Sequence, residues 1–162
     1  MKCTDNAGPV YRAEWRFADL LDTPADLITV FGTTMPRPIE ARFSPEYPEH
    51  LQLYIDTLLR TPAFIDRYPH MKGRRIDVVV SKRLKAKAYA EGSTINMPWA
   101  KWAWRESVLL HELAHVVTPE GGHGARFCSN LTWLVSTYMG QQAGWLLSAL
   151  LYDNDNHMEV SA

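Results

Sequence analysis

The stretch that most limits what this chain can fold into is residues 108–127, VLLHELAHVVTPEGGHGARF. Val108, Leu109, Leu110, Leu113, Ala114, Val116 and Val117 make it apolar on nearly every face of a helix, and a helix of that kind is buried. His111, Glu112 and His115 are then buried with it, and buried polar groups need partners. His111 and His115 are four apart, so they stand one above the other on one helix face. Two such imidazoles can grip one Zn²⁺, each through a ring nitrogen at about 2.0–2.1 Å. Glu112 follows His111 directly, so it points away from the ligand pair and is free to act as general base. Zinc brings the pKa of a bound water to about 7, and a carboxylate at this position takes the proton.

The helix pattern stops at Thr118-Pro119-Glu120-Gly121-Gly122. Proline removes a backbone donor, and paired glycines let the chain double back. His123 comes next and is placed to return as a third ligand. A downstream carboxylate is the usual alternative, but no Asp or Glu occurs between Gly121 and Tyr152. Glu120 is the one nearby acidic rival, and it reads as a solvated turn residue.

His111-Glu112-Leu113-Ala114-His115, a short breaker and then His123-Gly124-Ala125-Arg126-Phe127 resemble the HExxH…HGxxF arrangement of SprT-like zinc proteases. The pattern is more similar still to a group of small metallohydrolases from actinobacteria and their phages. Val10-Tyr11-Arg12-Ala13-Glu14 is also similar to that group's opening helix. The resemblance implies that His111, His115 and His123 bind zinc and that Glu112 is the base. It departs from many SprT-like proteins in one respect: Cys3 and Cys128 are the only cysteines, so a separate Cys-rich zinc ribbon cannot be built.

The rest of the chain reads as an α+β frame for this helix. An amphipathic helix is expected over Pro9–Asp22, a strand over Leu27–Phe31, and a loop or edge from Gly32 to Pro38. Ser44 and Pro45 mark the start of a second helix that ends near Thr61-Pro62. Ile76–Val80 is the clearest strand, and Ala86–Glu91 with Ser93–Met97 form a hairpin around Gly92. Pro98-Trp99 is expected to begin the motif helix. Strands leading into that helix fit a zincin-like plan, a small twisted sheet packed on the active-site helix with further helices N- and C-terminal. In that plan an edge strand, here the hairpin, offers its backbone to an extended substrate. Trp99, Trp102 and Trp104 read as core, and Tyr138 is a weaker candidate for stabilising an oxyanion.

A length of 162 residues suits one domain, taken as residues 1–152 with a polar tail at 153–162. Cys3 and Cys128 show neither metal spacing nor a disulfide framework. With no apolar leader at the N-terminus, they point to a cytoplasmic protein. Phe127–Tyr152 has no charged residue, but its polar residues and Gly140 favour two packed helices over a membrane span. Charge is lopsided: residues 60–105 hold 11 Lys/Arg against 3 Asp/Glu, densest at Lys82-Arg83-Leu84-Lys85-Ala86-Lys87. Such a patch can mark nucleic acid. Tyr89 is the only ring between Lys82 and Gly92, so solvated strand faces and a loop are the favoured reading. The sequence thus predicts a zinc-dependent metallopeptidase acting on a peptide or protein. A zinc-stabilised interaction module on the same scaffold is the alternative.

Overall fold

A computed structural model describes residues 7–82 and 87–153. Residues 83–86 of the basic run, the tail from residue 154 with His157, and Cys3 lie outside the described residues. The architecture is α+β, and the chain divides into two compact units, residues 1–40 with 120–162 and residues 41–119.

The first unit holds helix α1 (Ala7–Asp22) and a hairpin of β1 (Leu27–Val30) and β2 (Thr33–Pro36). It also holds two helices over Ala125–Tyr138 and Gln141–Asp153. In α1, Val10, Ala13, Phe17 and Leu21 are buried, a helical spacing that puts one apolar stripe inward. Tyr11 and Trp15 are exposed. The stretch after residue 31, expected as a loop or edge, is an edge strand over Thr33–Pro36. Val30 pairs with Thr33, so Phe31-Gly32 is a two-residue turn, with φ of 50° and 74°. Positive φ at both positions matches the twist of the flanking strands. Phenylalanine is a poor turn signal, which is why the turn itself is not legible in the sequence. Arg37 ties the hairpin back to the end of α1, donating to the carbonyls of Leu21 (2.9 Å) and Ala25 (3.0 Å).

The second unit opens with the segment 41–43, which pairs with 104–106: Phe43 N–H donates to Trp104 O and Glu106 N–H to Ala41 O, both at 3.0 Å. Helix α2 is Glu49–Leu59, not a helix starting at Ser44. Ser44 Oγ instead accepts from the Glu46 N–H at 3.3 Å, forming a local turn. The cap-plus-proline signature operates at Thr61, whose side chain accepts from Phe64 N–H and opens α3 (Pro62–Arg67). Strands β3 (Asp77–Ser81), β4 (Tyr89–Glu91) and β5 (Thr94–Pro98) follow. They form one sheet of order β3-β5-β4, with β3 parallel and β4 antiparallel to β5. Central β5 buries Ile95 and Met97. On β3, Gln52 of α2 accepts from Val78 N–H (2.7 Å) and donates to Ile76 O (2.9 Å). β3 and β4 are the two edges, and the outer side of β4 has no strand beside it among the described residues.

Helix α4 (Glu106–Val116) packs on β4 and β5. It does not begin at Pro98-Trp99. Pro98 closes β5 and accepts the indole N–H of Trp104 at 3.1 Å, and a single 3₁₀ turn over Lys101–Ala103 intervenes. Back in the first unit, α5 (Ala125–Tyr138) and α6 (Gln141–Asp153) break at Gly140, where φ is 101°. Both pack within that unit, α6 against α1 and α5, and Arg16 of α1 pairs with Asp153 at 2.8 Å. A Cβ at Gly144 would stand 2.4 Å from that of Ser136, so the glycine permits the α5–α6 approach. No helix among the described residues is long and apolar enough to cross a membrane. Cys128 is disulfide-bonded.

Candidate metal centre

The site is built on α4. Arg105 is extended at the N-cap, and Glu106 places an acid in the first turn, where the helix dipole favours one. Leu109, Leu110, Leu113 and Ala114 are fully buried, so packing holds the middle of the helix rigid. The helix ends at Val116; Thr118 Oγ1 donates to Ala114 O at 2.6 Å. Pro119 follows, then Gly121 and Gly122, both at φ 68°. A left-handed pair of this kind strains any residue with a Cβ. The chain reverses there as the sequence predicts.

His111 and Glu112 are buried at 6% and 4% exposure, His123 at 8%, and His115 is half-buried. The Nε2 atoms of His111 and His115 are 3.2 Å apart, with rings inclined at 71°. Two nitrogens on one tetrahedral zinc, each at about 2.0–2.1 Å, stand about 3.4 Å apart. The pair therefore needs almost no adjustment to share an ion. One ligand atom from each of His111, His115 and His123 lies within 4.8 Å of the others. Three imidazole nitrogens suit zinc and other borderline transition metals better than Mg²⁺ or Ca²⁺, which take oxygen ligands. The donor set fits a metal ion, and its chemistry fits zinc.

His123 is held by rings on its own unit. Phe127 of α5 meets it edge-on at 4.7 Å and Tyr11 of α1 at 5.2 Å. Phe127 is thus the brace for the third histidine, which gives the phenylalanine of the HGxxF pattern a physical task. Tyr11 was not legible as a site neighbour, because helical periodicity places it only beside the apolar stripe. Glu120 is exposed and pairs with Arg126, outside the histidine group. Cys128, being disulfide-bonded, offers no thiolate. Tyr138 packs at right angles on Trp133. Glu112 is adjacent to His111 in sequence and buried, and its Oε2 accepts no hydrogen bond.

Comparison of the chain with protein-family models, curated proteins and solved structures returns no match.

Proposed function

We propose that this chain is a zinc-dependent metallohydrolase of zincin-like plan, related to the SprT-like and small actinobacterial and phage enzymes that its motif resembles, and most directly a peptidase. The carrying observation is the convergence of His111, His115 and His123 within 4.8 Å of one another, with buried Glu112 beside the first of them. His111, His115 and His123 would hold the zinc. Bound zinc supplies Lewis-acid polarisation of a carbonyl and acidification of water. Glu112 would accept a proton from the attacking water at a carboxylate oxygen and deliver it to the leaving nitrogen. The burial of α4 excludes bulk water around that carboxylate, and Phe127 and Tyr11 keep the His123 ring from turning. Strand β4, an edge strand of a sheet that packs on α4, is the element that would take an extended substrate by backbone pairing.

The test is zinc-dependent cleavage of a denatured-protein or peptide-library substrate, measured for wild type and Glu112→Gln. Loss of cleavage in the variant, with zinc content and folding retained, is the expected result. No cleavage by the zinc-loaded wild type across broad libraries would leave an interaction module stabilised by zinc as the better account.

A further inference from the structure

Strand register gathers, at one end of the sheet, residues that are far apart in the sequence. Ser81 pairs with Pro98 at the end of the parallel β3–β5 ladder, and Trp99 N–H donates to Ser81 O at 2.8 Å. Lys82 is therefore carried beside Trp99, and its Nζ stands 5.8 Å from the centre of the indole. On the antiparallel side Tyr89 pairs with Asn96, so Lys87 and Tyr89 enter the sheet at that same end. Lys101 and Trp102 lie on the 3₁₀ turn that leaves it.

All three rings are exposed, Trp99 at 39%, Tyr89 at 51% and Trp102 at 55%. Lys82, Lys87 and Lys101 are exposed as well, Lys82 over the Trp99 ring. Trp99 is not a loose ring: it rests edge-on against buried Trp104, with centroids 5.6 Å apart. The acids of the sheet sit at its other end. Asp77 opens β3, where Arg75 pairs with it at 2.6 Å, and Glu91 closes β4 opposite Thr94. Lysines and exposed rings share one end, and the acids of the strands sit at the other, where Arg75 pairs with Asp77.

We propose that this end of the sheet binds single-stranded nucleic acid. Lysines would neutralise phosphates, and Trp99, Trp102 and Tyr89 would offer flat faces on which bases stack. A charged protein partner would use the lysines but gains little from three exposed rings set among them. A duplex hides its base faces and cannot use the rings at all. The inference is independent of the metal centre, because none of these residues belongs to it.

The probe is a fluorescein-labelled oligothymidylate of about 15 nucleotides, long enough for a groove of this class, titrated in low salt and followed by anisotropy. Binding should weaken steeply as salt rises, should fall by about fivefold or more in Trp102→Ala, and should be lost in Lys82→Glu/Lys101→Glu. Trp102 and both lysines are exposed, so folding should survive, and an unchanged melting temperature would verify it. A duplex of the same length should bind more weakly. Any of three results would overturn the proposal: no binding to oligothymidylate at low salt, duplex binding as tight as single-strand binding, or Trp102→Ala equal to wild type. The last would show a patch of charge alone, as a protein or polyanion partner would need.

Discussion

Helix α4 carries two buried carboxylates, Glu106 at its start and Glu112 beside the histidines of the candidate metal centre. Glu106, 6% exposed, is saturated by protein donors: Ala41 N–H reaches its Oε2 at 2.9 Å and the Tyr54 hydroxyl donates to its Oε1. Its own backbone N–H donates to Ala41 O, so it latches the 41–43 segment and α2 to the start of α4. Glu112, 4% exposed, stands in the middle of the helix between His111 and His115, and its Oε2 accepts no hydrogen bond. A buried charge with donors built around it belongs to the architecture. One set beside a ligand cluster is a candidate for chemistry. Burial alone does not separate the two carboxylates; the histidines beside Glu112 do.

The largest effect expected from this contrast is on turnover. Glu112→Gln removes the proton acceptor and should lower hydrolysis by about 10²–10⁴-fold, measured with the same zinc-loaded preparations, while the denaturation midpoint stays near wild type. Glu106→Ala should do the reverse. It strands the Ala41 N–H and the Tyr54 hydroxyl, and should cost about 3 kcal/mol in chemical denaturation, with turnover per folded molecule unchanged. If Glu106→Ala abolished turnover in fully folded protein, the division of labour between the two carboxylates would fail. Tyr54→Phe removes one donor and should cost about 1–2 kcal/mol in the same titration. The smallest effect falls on the turn before His123. At Gly122→Ala the new Cβ meets nothing within 4 Å, so only the φ of 68° is penalised, at about 1–2 kcal/mol. A loss well above that would mean that the turn does more than reverse the chain.

What could be read in the sequence follows from how local each signal is. The histidine cluster spans thirteen residues from His111 to His123, and a helix, a breaker and a return suffice to assemble it. The hairpin around Gly92 and the break at Gly140 were equally local, and both appear with positive φ at the glycine. Cap signatures proved ambiguous, because Ser44-Pro45 and Thr61-Pro62 look alike and only the second opens a helix. Segments 41–43 and 104–106 are far apart in the chain, so neither the Glu106 latch nor the true start of α4 could be foreseen. Reading Trp99, Trp102 and Trp104 together as core was right for Trp104 alone. The interleaving of rings with lysines, thin along the chain, arises only when β3, β4 and β5 are set in register.

In the proposed function three histidines hold one metal ion, and Glu112 is not among its ligands. Zinc per chain after dialysis against a mild chelator tests it most directly, on wild type, His123→Ala and Glu112→Gln side by side. Wild type and Glu112→Gln should each retain about one zinc, and His123→Ala should lose it. Zinc retained in full by His123→Ala, or released by Glu112→Gln as readily as by a histidine variant, would contradict it.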